Sequence, residues 1–400
     1  MSQTTDVLVI GAGLMGCATA LEVARRGHRV VVAERGLMPG GETTSKSGAI
    51  IRAHYGVPEL VQMALEANKR FQRFQQLFGG DCGWVECGYG VLVDVMDIET
   101  LRRNIEMHQG LGVEVETLSP SQFKEIAPAV RTEDVALVAW EPNGGYASPA
   151  LTTRAFADGA VEAGAQFRFE APVIGASSNG QGWDISLGDG TSVSCGQVVI
   201  CTGNWSRGVG EMFGLELPVT PMRAQIVVVE RPASFQGMFP VVSDLINLAY
   251  FRADGESGMW VGSSDSADLV DFHPAPALHG DISHNAEADS GAIRDAKTKA
   301  ALRFEGIDGG DKGGVQRAFC GLYETTPDWQ PIIDSLGNVH VAVGFSGHGF
   351  KLSTVMGEEM ACRVEGVASP FPTQIFDLAR FSENRPVASK WKYERAKFLR

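Results

Sequence analysis

The sequence lacks any apolar run of the ~18 residues that a membrane-spanning helix needs, and its start, MSQTTDVLVIGAG, lacks the basic flank of a signal peptide. It also has little positive charge for its length: 34 Lys and Arg are outnumbered by 48 Asp and Glu, and the formal net charge is −14. An acidic chain is a poor partner for nucleic acid or an anionic membrane. We therefore expect an unprocessed cytoplasmic protein that binds neither.

Paired cysteines are absent as well. The seven cysteines are scattered, without a CxxC pair or a histidine at zinc-binding spacing. We expect reduced, mostly buried thiols and no metal site. The 400 residues exceed what one typical core holds, so two domains, or one large domain with an inserted one, are expected.

The clearest pattern is a βαβ opening, in which Asp6 to Ile10 predicts a strand, Leu14 to Arg26 a helix and Arg29 to Ala33 a second strand. The first turn of this unit contains a nucleotide-binding fingerprint. Its placement after a strand and before a helix is the context that such a fingerprint requires.

The turn has the sequence VLVIGAGLMG, with Gly11, Gly13 and Gly16 in the GxGxxG spacing. Gly11 permits the tight turn, Gly13 lets the backbone approach a pyrophosphate, and Gly16 lets helix and strand pack closely. Leu14 and Met15 lie at the helix N-terminus, where the phosphates are expected to bind. The alternative is a glycine-rich turn that binds nothing.

Glu34 stands at the end of the second predicted strand. A carboxylate there can accept hydrogen bonds from both ribose hydroxyls and would repel a 2′-phosphate, which favours an adenosine nucleotide without that phosphate. The chain then continues in a polar, glycine-rich loop, GLMPGGETTSKSGAIIRAHYG, rather than in further βα units. Because such a loop can wrap a pyrophosphate and a flavin, FAD is favoured over NAD. The predicted contacts in this region are Arg35, Thr44, Ser45 and Ser47.

The rest of the chain contains two kinds of strand pattern. Residues 215–265 alternate like antiparallel strands, while 196–203 and Val339 to Val343 are short buried strands. We expect an α/β protein with a Rossmann-type, glutathione-reductase-like FAD-binding domain and an inserted α+β substrate domain built on a mostly antiparallel sheet. The FAD-binding domain is predicted to be discontinuous, at 1–80, 150–215 and 318–400, and the substrate-binding domain to comprise 81–149 and 216–317.

Four further segments follow the fingerprint along the chain: SKSGAIIRAHYG (45–56), VVICTGNWS (198–206), GLYETTPDWQPIID (321–334) and GFSGHGFK (344–351). In this order they resemble the D-amino-acid oxidase superfamily, and within it the monomeric sarcosine oxidases and N-methyltryptophan oxidases. The resemblance implies an FAD enzyme that oxidises a C–N bond of an amino acid, most often a secondary amine, to an imine that water hydrolyses. It also implies that O2 accepts the electrons and becomes H2O2.

The resemblance implies a substrate site in which Arg52 and Lys351 grip a carboxylate from two sides, Tyr250 and Tyr323 line the pocket, and His348 lies near the flavin ring. Residue chemistry agrees, because an Arg fork pairs with a carboxylate bidentately and both cations count for more in a desolvated site. Each residue has an alternative role. The two cations can be solvated or ion-paired, the tyrosines simply packed, and His348 a hydrogen-bond partner of backbone or cofactor.

Further cofactor contacts are expected where strand ends and glycine turns meet the flavin. The glycines of GFSGHGFK, interpreted as a loop, let the backbone pass against the flavin ring. The predicted contacts are Val173, Thr202, Gly203, Trp205, Gly321, Gly344, Gly347, His348, Gly349, Phe350 and Lys351.

The chain departs from the family pattern at the point of flavin attachment. The family often ties its flavin to a Cys two residues before Tyr323, a position that is Gly321 here, with Cys320 as its neighbour. A slip of one residue along a strand turns a side chain to the opposite face. We therefore expect non-covalent FAD and a packed Cys320.

A second departure is that no lysine occurs between Lys124 and Lys297. By the resemblance, oxidases carry a Lys over the flavin in this part of the chain, where its charge helps dioxygen accept an electron, and Trp260 falls near the matching position. Either dioxygen is activated differently, for instance by Arg252, or electrons pass to another acceptor. In the second case the enzyme is a dehydrogenase, for example one subunit of a complex.

The chain also contains cations that suit a second substrate carboxylate. Arg252 or Arg223 can hold it, which would make the substrate iminodiacetate-like rather than sarcosine-like. A flavin-binding module without catalysis is the alternative from a different class of protein.

Overall fold

Two large β-sheets organise the chain in the computed structural model, which describes residues 2–265, 270–271, 287–310 and 314–395. The strands, in chain order, are β1 (Ser2–Ile10), β2 (Val30–Ala33), β3 (Ile50–Ile51), β4 (Val85–Glu86), β5 (Tyr89–Val93), β6 (Glu116–Leu118), β7 (Leu137–Glu141), β8 (Gly145–Tyr146), β9 (Gln166–Arg168), β10 (Val173–Ser178), β11 (Trp183–Leu187), β12 (Ser192–Ile200), β13 (Thr220–Glu230), β14 (Val241–Asp244), β15 (Ala249–Asp254), β16 (Gly258–Ser263), β17 (Val270–Asp271), β18 (Val315–Thr325), β19 (Ile332–Leu336) and β20 (Val339–Val343).

Helices are distributed along the described chain. They are α1 (Leu14–Arg25), α2 (Pro58–Gln72), α3 (Phe74–Phe78), α4 (Ile98–Gly110), α5 (Pro120–Ile126), α6 (Pro149–Glu162), α7 (Ser206–Met212), α8 (Ser290–Arg303), α9 (Gly349–Glu365) and α10 (Ala379–Ser382). Among the described residues, none of these helices combines the length and the apolar character needed to span a bilayer.

The first sheet has a parallel centre in the order β9, β2, β1, β12 and β20. Its strands are runs of Val and Ile buried on both faces, as the burial of 7–10, 30–33 and 339–343 shows. Such two-sided burial is typical of parallel sheets that helices cover. The helix α1 packs against α6 and α9 on one of these faces. The βαβ opening that the periodicity predicted is thus confirmed.

The second sheet has the order β17, β13, β16, β15, β14, β5, β7 and β6, with β18 added on β13. Its pairs are antiparallel apart from β14 with β5. This confirms the predicted α/β class with a mostly antiparallel second sheet. The predicted domain boundaries stay a prediction. The boundary predicted at residue 318 falls within the strand β18.

The segment GFSGHGFK differs from the expected loop, because α9 begins at Gly349. Phe350 and Lys351 therefore belong to the first turn of a helix, and His348 is its N-cap residue. The buried positions of this helix include Leu352, Val355 and Met356, whose apolar spacing favours a helix even though two glycines precede it.

Asp328, in the TPD run, ties this part of the chain to the C-terminal tail. Its carboxylate accepts hydrogen bonds from Arg380 Nε at 2.8 Å and Nη2 at 3.0 Å, and from the Val387 N–H at 3.0 Å. Both side chains of the ion pair are almost fully buried. Asp328 also accepts from the Thr326 hydroxyl, and the Thr326 N–H in turn donates to Ser346. The TPD run thereby fixes the turn that precedes α9.

We predict that Arg380→Met lowers the free energy of unfolding by about 3–5 kcal/mol, because it leaves the Asp328 carboxylate buried without its partner. Urea denaturation followed by far-UV circular dichroism measures this change. Arg385→Met is the control, since Arg385 pairs with Asp377 and Glu383 at the surface and such pairs contribute little. Equal midpoints for the two variants would contradict the prediction.

Candidate active site

A continuous cavity of about 690 Å³ runs from the glycine fingerprint to the N-terminus of α9. Residues from the carboxyl ends of β1, β12 and β20 line it, which is where ligands bind in open parallel sheets. Of the predicted cofactor contacts, those that line it are Gly11, Gly13, Leu14, Met15, Glu34, Arg35, Thr44, Ser47, Val173, Thr202, Gly203, Trp205, Gly321, Gly347, His348, Gly349, Phe350 and Lys351.

The fingerprint glycines have the geometry that a bound pyrophosphate needs. Gly11 has φ +99°, and a Cβ there would lie 2.6 Å from the Cys201 carbonyl oxygen. Gly16 lies outside the lining residues, where it packs directly against the Gly11 carbonyl. Gly13 is the N-cap residue of α1 without a side-chain cap, and beside it lies only the Thr44 hydroxyl. The Leu14 N–H donates to the Thr44 hydroxyl at 3.2 Å and no side chain caps the helix at Gly13, so a phosphate can bind at this helix start beside Thr44.

Glu34 directly follows β2, and its carboxylate lies against the fingerprint turn. Its oxygens accept the N–H of Ala12 at 2.6 Å and the N–H of Gly36 at 2.6 Å, and the residue lines the cavity. A carboxylate has about four acceptor sites, so two of these bonds leave capacity for ribose hydroxyls. Arg35, beside it, lies over the Trp205 ring at 4.4 Å.

At the other end of the cavity, Arg52 and Lys351 meet at one aromatic ring. The Arg52 guanidinium lies 4.3 Å and the Lys351 ammonium 5.7 Å from the centre of the Tyr55 ring. Both cations are buried, with 8% and 5% of their surface exposed. The Lys351 ammonium forms no hydrogen bond or ion pair with any residue in the described part of the chain, and the Arg52 guanidinium donates only to the His54 carbonyl.

The electrostatics of this end are those of an anion site. Burial, together with the charge of Arg52, holds the pKa of Lys351 well below its usual range. Lys351 also lies in the first turn of α9, where the helix dipole adds positive potential. Neither cation forms a salt bridge with the described residues, and burial raises the pKa of Glu141, the carboxylate that acts on Arg52, to about 7. An added anion would therefore lower the cost of burying the two cations.

Three uncharged polar side chains complete the pocket. Burial, with Lys351 and Arg52 nearby, keeps the pKa of His348 well below its usual value, and its Nε2 has no partner among the described residues. The hydroxyls of Tyr250 and Tyr323 lie 3.4 Å apart, and burial raises the pKa of both phenols.

Some predicted residues are not brought to the cavity. Arg252 lies between the rings of Tyr146 and Trp260, at 4.8 and 4.6 Å, and its Nε donates to the Gly48 carbonyl at 2.7 Å. The structure thus places Arg252 and Trp260 behind Gly48, outside the lining residues, and Arg252 supports that loop.

The other predicted residues outside the lining contact neighbouring groups of the protein. The Ser45 hydroxyl donates to the carbonyls of Gly41 and Glu42. Gly344 has φ +69° and faces the Thr326 methyl group, so it serves the turn before α9. Arg223 forms an ion pair with Asp289 at 3.1 Å. Cys320 is fully buried and outside the lining, whereas Gly321 belongs to it.

Sequence reasoning missed several residues that line the cavity, among them Lys46, Tyr89 and Glu324. Burial raises the pKa of Glu324 to about 7, and one of its carboxylate oxygens has no partner among the described residues. Its position directly after Tyr323 in β18 gave no signal, because neighbouring side chains of a strand point to opposite faces. Lys46 lies in the segment SKSGAIIRAHYG (45–56), which carries part of the family resemblance.

The profile of the family described as FAD-dependent oxidoreductase matches residues 6–363. The chain belongs to this family. Its cofactor is therefore FAD, and the expected membership of the D-amino-acid oxidase superfamily is confirmed.

Two curated relatives show the same similarity over almost the whole chain. Mitochondrial sarcosine dehydrogenase of Homo sapiens is 25% identical over 99% of this chain, and the chain spans only 43% of that protein's length. N-methyl-L-tryptophan oxidase of Yersinia pestis is 27% identical, over 94% of this chain and 99% of the relative.

Solved structures share the fold. L-proline dehydrogenase from P. horikoshii superimposes with a TM-score of 0.86 at 24% identity, covering 97% of this chain and 100% of that one. Iminodiacetate oxidase from Chelativorans sp. BNC1 gives 0.75 at 19% identity, covering 93% and 98%.

The described residues fit FAD, since the open N-terminus of α1 suits the pyrophosphate and Glu34 suits the ribose. We predict that Gly13→Ala weakens FAD binding about tenfold or more, because its methyl group stands where the phosphate must approach and one charge-assisted hydrogen bond is lost. Gly13 has an ordinary φ and few neighbours, so the fold should persist.

Reconstitution of the apoprotein with FAD, followed by flavin fluorescence, measures this affinity. Gly110→Ala is the control, because Gly110 also has an ordinary φ and no neighbour within 4 Å. Equal FAD affinity of the two variants would contradict a phosphate site at Gly13.

Proposed function

We propose that this protein oxidises the C–N bond of a secondary amino acid with one carboxylate, of the sarcosine type. The observation that carries the proposal is the pair of buried cations, Arg52 and Lys351, which line the cavity without a carboxylate partner among the described residues. An Arg fork and a Lys point charge together suit one carboxylate, and they act strongly in a dry site.

The uncharged groups beside this pair favour a neutral amine. His348, Tyr250 and Tyr323 are all held in their neutral forms, so they offer an ammonium group no counter-charge. The substrate is then bound as a carboxylate with a free amine lone pair, which is the form able to release hydride from the adjacent carbon.

FAD, when bound, would supply the acceptor for the two electrons and the hydride that leave the substrate carbon. The pocket residues hold the C–H bond in place, and positioning of this kind contributes a large part of catalysis. Water adds to the resulting C=N bond and releases an amine and an aldehyde. For sarcosine, the sum is sarcosine, water and O2 giving glycine, formaldehyde and H2O2.

A substrate with one carboxylate is favoured over an iminodiacetate-like one. The two residues predicted to hold a second carboxylate are engaged elsewhere, Arg252 by Gly48 and two aromatic rings and Arg223 by Asp289. The likeness to iminodiacetate oxidase, at 19% identity, is a likeness of fold.

A dehydrogenase that uses an acceptor other than O2 is the second candidate. It is favoured by the position of Arg252 outside the cavity lining and by the absence of lysine between Lys124 and Lys297. If O2 is the acceptor, Lys46, which lines the cavity, is the cation whose charge would help O2 accept an electron.

We further propose that FAD is bound non-covalently, since Cys320 lies outside the lining. We also propose a cytoplasmic location.

An anaerobic panel of secondary and primary amino acids, followed by air, tests the reaction and the acceptor. Sarcosine should bleach the visible absorbance of the flavin, and air should restore it with release of H2O2. Slow reoxidation in air with fast turnover on an artificial dye would identify the dehydrogenase. A flavin that no amine bleaches would indicate a non-catalytic module and end the proposal.

We predict that Arg52→Ala raises the KM for sarcosine about 10- to 100-fold while FAD stays bound, because a charge-assisted pair with the carboxylate is lost. Steady-state kinetics and the flavin spectrum give both quantities. Arg223→Ala, which removes an Arg already paired with Asp289, should leave the KM unchanged. An Arg52→Ala enzyme with the wild-type KM would place the carboxylate elsewhere.

A pH effect follows from the lowered pKa of Lys351. A bound carboxylate favours charged lysine, so above the pKa of the empty site binding must take up a proton. The Kd of acetate should therefore rise with pH, by up to about tenfold per unit. Acetate titrations followed by the flavin spectrum measure it. Lys351→Met should flatten the curve, and an unchanged slope in that variant would assign the effect to another group.

A further inference from the structure

A buried polar cluster lies behind Arg52, outside the lining of the cavity. It consists of His54, His108, Glu141 and Tyr393, and we call it the rear cluster. Its side chains are almost fully buried and come from four distant parts of the chain, the segment after β3, the helix α4, the end of β7 and the C-terminal tail. Nothing in the proposed chemistry uses these residues directly.

The rear cluster bonds to the main chain next to Arg52. One Glu141 oxygen accepts the Ala53 N–H at 2.8 Å, and His108 Nε2 donates to the Tyr55 carbonyl at 2.7 Å. Arg52 itself donates to the His54 carbonyl. Three successive residues after Arg52 are thus held by side chains.

These bonds replace those that a sheet would supply. The strand β3 ends at Ile51, and residues 52–57 belong to no helix or strand. A buried backbone segment of this kind needs other partners for its N–H and carbonyl groups. The segment also carries Tyr55, whose ring contacts Arg52, Lys351 and His348.

The remaining polar atoms of the cluster converge without partners. His54 Nδ1, His108 Nδ1 and one Glu141 oxygen have none among the described residues. The two imidazoles and the carboxylate each have a nitrogen or oxygen atom within 4.8 Å of the others. His54 Nδ1 and the Glu141 oxygen are 3.9 Å apart. Ligands around Zn²⁺, with bonds of about 2.0–2.1 Å, lie closer together, and the charge of Arg52 opposes a metal cation. The separation of 3.9 Å is also too long for a direct hydrogen bond, so His54 Nδ1 and the Glu141 oxygen lie near each other without being bonded.

His108 has a defined role in this arrangement. Burial lowers its pKa to about 4, so its ring is neutral, and the bond to the Tyr55 carbonyl requires that Nε2 carry the proton. Glu141 can only accept from the Ala53 N–H. His108 therefore supplies the donor that the Tyr55 carbonyl needs, and Glu141 supplies the acceptor that the Ala53 N–H needs.

We propose that His108 and Glu141 are positioning residues, which hold segment 52–55 so that Arg52 and the Tyr55 ring face the substrate carboxylate. This inference rests on the proposed function, in which Arg52 binds that carboxylate. His108 bonds to the main chain of Tyr55, whose ring both cations contact. Glu141 bonds to the main chain of Ala53, the residue next to Arg52. Neither touches the substrate.

The test is acetate binding by the FAD-loaded protein, followed by the flavin spectrum. His108→Ala and Glu141→Ala should each raise the Kd of acetate about tenfold or more, because a buried main-chain group loses its partner and the segment shifts. With sarcosine, KM should rise while kcat stays within about twofold. His108→Gln and Glu141→Gln keep the donor and the acceptor and should restore most of the affinity. His108→Phe keeps a ring without the donor, and it carries the test if the alanine variant does not fold.

His340→Ala is the control, since His340 is a buried histidine in β20 that bonds to Gln197 and Ser335, away from segment 52–55. It should leave the Kd of acetate unchanged. Wild-type affinity in His108→Phe and Glu141→Ala, with affinity lost in Arg52→Ala, would overturn the inference and leave the proposed function intact. If the wild-type protein does not bind acetate, the proposed function fails first. One equivalent of tightly bound transition metal, by elemental analysis, would make these residues ligands and also overturn the inference.

Discussion

The burial of two like charges at one end of the cavity is the constraint on which the site depends. Arg52 and Lys351 both lie against the Tyr55 ring, and neither forms a salt bridge with the described residues. Such an arrangement stays folded only if other interactions offset the free-energy cost of burying two like charges. Three parts of the structure supply such interactions. Tyr55 offers its ring to both cations, α9 carries Lys351 on a buried helix, and the rear cluster holds the segment that carries Arg52.

The fold explains why these distant residues meet beside a flavin site. The strands β1, β12 and β20 are parallel neighbours, so their carboxyl ends lie side by side. β1 leads into the glycine fingerprint, β12 into the Thr202–Gly203 turn, and β20 into the turn before α9. One edge of the sheet thereby supplies both the phosphate end and the substrate end of a single cavity. The Asp328–Arg380 pair fixes the last of these turns.

Local patterns in the sequence predicted a large part of this fold. The opening strand and helix, the strand Val339–Val343 and the glycine fingerprint depend on short-range spacing and stand as predicted. The start of α9 was missed, because the glycines around His348 masked a helix whose apolar positions come after Lys351. Arg252 was predicted at the substrate, whereas long-range packing between two aromatic rings directs it to the Gly48 carbonyl. Tyr55 and Glu324 could not be selected from sequence, since their roles arise from contacts between distant segments.

The central claim is that Arg52 and Lys351 bind one and the same carboxylate. It is tested most directly by measuring the Kd of acetate for the wild-type protein, Arg52→Ala, Lys351→Met and the double variant, all loaded with FAD. Groups that share one ligand are coupled, so the double variant should bind acetate little more weakly than the weaker single variant. A double variant whose loss of affinity equals the product of the two single losses would show that the cations act independently, and would contradict the account.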